Sequence, residues 1–156
     1  MLFRSLAGGL GIALACDIVV AADDASFGAP EVAVGLWPYM ITVPMLRSMP
    51  AKVVLDLAMT GRRVDAEEAL RLGFVSRVVP VAELDAAVDE LALGLAARSP
   101  LVLRLGRTGF YDVLDLDADA ALTVLHERLS EHVRTEDARE GLAAYAEKRA
   151  PRWTGR

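Results

Sequence analysis

Two short stretches of the chain carry residue types that suit chemistry. Ala7-Gly8-Gly9 heads an apolar run, and Glu31 follows Phe27-Gly28-Ala29-Pro30 among small and apolar neighbours. A helix N-terminus leaves amide N–H groups without partners, and glycine lets a ligand come close to them. Aimed at a carbonyl oxygen such as a thioester's, such amides form half of an oxyanion hole. A carboxylate set like Glu31, away from bulk water, has surroundings that tune it for proton transfer. Each feature has a plainer reading. Glycine pairs often precede helices for structural reasons, and Glu31 read on spacing alone is a turn residue facing solvent.

Other reactive residues offer less. His126 and His132 lie on a stretch rich in Glu and Arg, far from any cysteine or carboxylate pair with ligand spacing. They read as surface or interface residues, and no metal site is expected, because metals need clustered ligands. Cys16, the single cysteine, ends an apolar segment and reads as a small core residue. Trp37-Pro38-Tyr39 either lines an apolar pocket or simply packs. No phosphate loop and no Ser–His–Asp arrangement is legible.

The elements that must position these residues follow from composition and pattern. A chain of 156 residues with 54% hydrophobic and 25% charged residues is a folded protein of about one domain. Its net charge of −5, with no stripe of Lys and Arg, argues against a nucleic-acid partner. No segment reaches the ~18 apolar residues of a membrane span, so no membrane partner is expected and the location is read as cytoplasmic. Met1 to Cys16 has the outline of a secretory or lipoprotein signal. Gly8, Gly9 and Gly11 weaken that reading, since each costs an apolar helix about 1 kcal/mol. Leu6–Cys16 reads instead as a helix opened by glycine and ended at Asp17.

Ile18–Ala22 and Ala25–Gly28 read as short buried strands. Ala29-Pro30-Glu31 reads as extended, because the residue before proline is pushed out of the helical region. Helices are expected over Tyr39–Met49 and Ala51–Thr60, the second entered through Pro50 and closed by Gly61. Asp65 and Glu68 form a capping box for a short helix that ends at Gly73. A strand over Val75–Val79 stops at Pro80. Beyond it the pattern is helical, with Leu84, Val88, Leu91 and Leu95 on one face. A further helix covers Leu116–Val133, and Thr135 caps a last one to about Lys148.

Taken together, these weak signals resemble one family. Leu6-Ala-Gly-Gly-Leu-Gly-Ile-Ala-Leu-Ala-Cys-Asp-Ile18, then Ala25-Ser-Phe-Gly-Ala-Pro-Glu-Val32, then Gly35-Leu36 and Pro38, is similar to the central signature of the crotonase superfamily, the enoyl-CoA hydratase/isomerase family. The similarity runs on through Leu57–Arg63, Ala66–Pro80, Arg98-Ser-Pro100, Glu136–Gly141, Glu147-Lys-Arg149 and Pro151.

The resemblance implies an α/β fold: the C-terminal part of a crotonase-like ββα spiral over residues 6–80, then a helical trimerisation region over 81–156. It implies an acyl-CoA thioester as substrate, with coenzyme A entering as part of it and no separate cofactor. It also implies a homotrimer or a dimer of trimers. Gly8 would supply one oxyanion amide and Glu31 the acid or base. Ala7, Gly8, Gly11, Pro30, Glu31 and Tyr39 would line the substrate site. The second oxyanion amide would come from a segment upstream of Met1, so residues 1–156 alone are expected to be inactive. Met1–Ser5 departs from the pattern, and Leu2–Ser5 is what a common sequencing-adapter end encodes, so residues 1–5 are expected to be a non-native start. Gly11 stands where hydratases of the family carry a first glutamate. That departure suits double-bond isomerisation, another enolate reaction, or a non-catalytic binding or assembly role. Tyr39 and Met40 replace a glycine-rich turn and imply a reshaped acyl pocket.

Overall fold

The computed structural model describes residues 4–156 and divides the chain into two compact units, Met1–Glu90 and Leu91–Arg156. The first unit alternates strand and helix. Strand β1 (Arg4–Leu6) leads into helix α1 (Gly8–Leu14), followed by β2 (Val20–Ala22) and β3 (Ser26–Gly28). A 3-10 turn over Pro30–Val34 precedes helices α2 (Tyr39–Ser48) and α3 (Ala51–Thr60). Strand β4 (Arg63–Asp65), helix α4 (Ala66–Leu72) and strand β5 (Arg77–Val79) follow, and α5 (Leu84–Ala96) crosses into the second unit.

One sheet has the order β1-β3-β4, with β1 parallel and β4 antiparallel to the central β3. A second sheet pairs β2 with β5 in parallel. Parallel strands need a crossover, and α1 with β2 supplies the one between β1 and β3. The core between these layers holds Leu10, Leu14, Phe27, Met45, Leu57, Val64 and Phe74. Phe27 and Phe74 meet edge to face at 5.5 Å, an arrangement that the ring quadrupole favours.

Local sequence explains most boundaries. Pro50 precedes α3, and Gly61 closes it in the left-handed region at φ 63°. Asp65 caps α4 by accepting from the Glu68 amide at 2.7 Å. The reciprocal half of the expected capping box is not made: the Glu68 carboxylate pairs with Arg62 at 2.9 Å, a charged donor outbidding a backbone amide. Ala29-Pro30-Glu31 is not extended throughout. The restriction before proline falls on Ala29 (φ −119°, ψ 74°), while the fixed φ of Pro30 starts a helical turn that carries Glu31. Cys16 is exposed rather than buried, because it lies beyond the C-cap Ala15, where the chain leaves the core. Strand β4 carries no run of β-branched residues and is defined by pairing with β3.

The second unit consists of the end of α5, then α6 (Pro100–Val113), α7 (Ala118–His132) and α8 (Glu136–Ala146) with an irregular tail. No residue of α5 is buried, so its expected apolar face packs loosely. Asp137, 1% exposed, is the hub of this unit. It accepts from Ser99 Oγ at 2.5 Å, from the Thr154 amide at 2.7 Å and from the Gly155 amide. The Ser99 hydroxyl, then the tail amides, hold its carboxyl below the usual carboxylate range against the opposing effect of burial. Ser99 also caps α6 through the Val102 amide. One carboxylate thus joins the start of α6, the start of α8 and the tail. His126 is exposed and His132 partly so, and no cluster able to hold a metal occurs among the described residues. No helix among them is long and apolar enough to cross a membrane.

Beside this hub, Glu140 takes two donors from Arg149 at 2.6 and 2.9 Å and one from the Arg152 amide. The Arg149 guanidinium lowers the Glu140 carboxyl to about 2. Between pH 4.5, its reference value, and about 2, the unfolded chain therefore holds more protons than the folded one. Its stabilisation is present above that window and lost as pH falls through it. Glu140→Gln is expected to lower the denaturant midpoint at neutral pH and to flatten its fall between pH 4.5 and 2. Urea titrations of both proteins across that range check this.

Candidate active site

The register of β1 on β3 brings the two candidate stretches together. Leu6 stands opposite Gly28, and the Ala7 amide donates to the Gly28 carbonyl at 3.0 Å. Both strands run the same way and end side by side, so the chain enters α1 at Gly8 and the Glu31 turn from one edge of the sheet. Ligands in parallel sheets bind at this carboxyl edge.

On the first side, Ala7 is forced to φ 51° and ψ −126°, a region that a residue with a Cβ seldom adopts. The turn lets the chain leave the strand and start a helix at once. The Gly11 amide makes the first helical bond, to the Ala7 carbonyl at 3.2 Å, and the Gly8, Gly9 and Leu10 amides precede it. Gly8 is exposed, and a Cβ built there would meet nothing within 4 Å. Space for a ligand therefore lies directly against its backbone.

On the second side, Glu31 is half-buried, and its Oε2 is shut off from solvent with no hydrogen-bond partner among the described residues. Burying a carboxylate oxygen without a donor is costly, so such groups are rare, and a catalytic role is one of the few reasons a fold keeps one. Pro30 beside it is half-buried, whereas Tyr39, at the start of α2, is 76% exposed.

Gly11 is buried one turn into α1. A Cβ there would lie 2.5 Å from Ile41 Cγ2 and 3.2 Å from Ile41 Cβ. Its missing side chain has left no hole, because α2 packs directly on the helix backbone and Ile41 fills the place. Sequence reading saw the glycine and missed the isoleucine. The two lie 30 positions apart, and no local pattern links them.

The arrangement therefore has one carboxylate, one helix end with open amides, and an apolar wall. The fold around it is shared with solved structures. One is human enoyl-CoA hydratase domain-containing protein 3, with TM-score 0.93, 36% identity, 96% of this chain and 59% of that one. Another is an enoyl-CoA hydratase from Mycobacterium smegmatis, with TM-score 0.94, 28% identity, 97% of this chain and 59% of that one. The curated sequence of the human protein, described as mitochondrial, is 36% identical over 148 residues, 95% of this chain and 49% of its own length. Carnitinyl-CoA dehydratase of Escherichia coli K12 is 40% identical over 154 residues, 96% of this chain and 59% of its own length. This is the crotonase fold. The enoyl-CoA hydratase/isomerase family model matches residues 4–156, and the chain belongs to that family. It spans about half to three-fifths of the length of these relatives. The family match takes in Arg4 and Ser5, which form β1 with Leu6; Met1–Phe3 lie outside the described residues.

The Gly11–Ile41 contact has a measurable consequence. Gly11→Ala is expected to cost about 1–3 kcal/mol through overpacking. Ile41→Ala alone is expected to cost about 2–5 kcal/mol. Together they should cost clearly less than their sum, since each relieves the other's misfit. A double-mutant cycle by chemical denaturation reads the coupling.

Proposed function

We propose that the full-length protein acts on acyl-CoA thioesters by proton transfer, with Glu31 as its acid and base and the Gly8 amide as one donor to the thioester oxygen. The observation that carries this reading is the solvent-shielded, unpartnered Oε2 of Glu31, on a turn that leaves the same sheet edge as the glycine-headed helix. A developing enolate places negative charge on the thioester oxygen. A fixed amide stabilises that charge without reorganising at the moment of reaction. Glu31 would take a proton from the carbon beside the carbonyl, giving the enolate, and return it two carbons further along, so that the double bond moves one position toward the thioester.

The packing at Gly11 supports a narrower choice within the family. Holding and activating one water between two carboxylates needs a second acid, and this position has no room for one while Ile41 stays in place. A single carboxylate with no second acid at position 11 suits movement of a double bond, or another enolate reaction, better than addition of water. The same packing also favours a second reading, in which the protein binds acyl-CoA and turns nothing over. The reading extends to assembly. Leu122, Leu129 and Tyr145, at 67%, 60% and 87% exposure, suit burial between copies in a homotrimer or a dimer of trimers, which sedimentation of the full-length protein would register as a threefold or sixfold multiple of the chain mass.

Glu31→Gln in the full-length protein is expected to lower turnover of 3-enoyl- or 2-enoyl-CoA by about 10²–10⁴-fold, the usual contribution of a general base. Isomerisation is followed as the shift of the double bond and hydration as loss of enoyl absorbance. Unchanged turnover removes Glu31 from the mechanism. Acyl-CoA binding without turnover of any thioester selects the second reading.

A further inference from the structure

The Glu31 turn packs against α3 but contributes no buried residue of its own. Val32 to Leu36 are all exposed, and no residue of the 3-10 turn is buried. Its own hydrogen bonds, Gly35 amide to Val32 carbonyl and Leu36 amide to Glu31 carbonyl, close the turn on itself and anchor it to nothing else. Yet a general base must be held to within a fraction of an ångström.

The closest support beyond α3 comes from the turn between α3 and β4. A Cβ on Gly61 would lie 3.0 Å from Val32 Cγ1 and 3.5 Å from the Pro30 Cα, so the Gly61 backbone approaches both neighbours of Glu31 too closely to leave room for a side chain. One residue further, the Arg62 carbonyl would lie 3.0 Å from a Cβ on Gly28, at the end of β3. The supporting turn is itself braced. The Arg62 guanidinium reaches Asp56 on α3 at 2.6 Å and Glu68 on α4 at 2.9 Å. These two partners hold the guanidinium firmly charged, against a small effect of burial. The left-handed backbone at Gly61 turns the chain beneath Glu31 in one residue.

We propose that Gly61 is a positioning residue, a backbone bearing braced by Arg62 that sets where the Glu31 carboxylate sits. The inference rests on the reading of Glu31 as the acid and base. An added methyl at position 61 pushes on Val32, which is branched at Cβ and stiff about χ1, so the displacement passes into the backbone beside Glu31. Gly73 provides the control. It closes α4 in the same left-handed conformation, at φ 87°, but a Cβ there meets nothing within 4 Å. Gly73→Ala therefore carries comparable backbone strain without the contact.

In the full-length protein, Gly61→Ala is expected to lower kcat by about tenfold or more with KM nearly unchanged, because a misplaced base loses rate and leaves binding intact. Gly73→Ala, matched to it by thermal unfolding, should keep kcat. Adding Val32→Ala to Gly61→Ala should recover most of the rate by removing the atom that is pushed. On a Glu31→Gln background, Gly61→Ala should cost nothing further, since both act through one carboxylate. If Gly61→Ala does not fold, Arg62→Gln gives the same reading by loosening the brace: lower kcat, retained KM, and no added effect on Glu31→Gln. Equal losses at Gly61 and Gly73, no rescue by Val32→Ala, or unchanged kcat in Arg62→Gln would overturn the bearing. Full turnover by Glu31→Gln alone would instead overturn the reading on which it rests.

Discussion

The parallel pairing of β1 with β3 is the constraint on which the site depends. Three residues on each strand fix the register, and the Ala7 amide on the Gly28 carbonyl adds one bond beyond it. Because a strand slip by one residue exchanges its faces, that register decides what emerges next to what. Here it sets the start of α1 beside the turn bearing Glu31. The positive φ of Ala7 is the local cost of the arrangement, held in place by pairing on one side and the first turn of helix on the other.

Around this pair the chain is packed in two different ways. Behind α1, the contact between Gly11 and Ile41 is tight enough to exclude a methyl group, so that wall is rigid and apolar. Beside Glu31, the Gly61 backbone closes in on Pro30 and Val32, while the Arg62 carbonyl lies against the end of β3 at Gly28. In the proposed mechanism the packed wall would leave position 11 without a second acid, and the approach of Gly61 would set where Glu31 stands. The two supports come from α2 and from the end of α3, neither of which carries a reacting group in the proposed mechanism.

Much of this was legible from residues, and the gaps have physical causes. Pro50, Gly61, Asp65 and Gly73 marked their helix ends because capping acts within a turn or two of the chain. The crotonase-like fold was legible because the motifs from Leu6 to Pro151 keep their order and spacing. What local reasoning missed was decided at long range. Strand β4 exists through its partner β3, Cys16 is exposed through where the chain turns, and Glu68 chose Arg62 over its own helix end. Pro30 shows a different failure: the rule for the residue before proline was applied one position too far, and the turn that holds Glu31 was read as extended. At the site, Gly11 could be seen as a departure from the family pattern. That its place is filled by Ile41 required the crossing of α1 and α2.

The position of Cys16 has a practical side. It is the chain's single cysteine, it is exposed, and its sulfur donates to the Ile12 carbonyl just past the end of α1. A helix of seven residues is about 10 Å long. A maleimide dye placed on this thiol would therefore sit about one helix length from the Gly8 amide, a fixed reporter at the far end of the helix that the proposed site begins with.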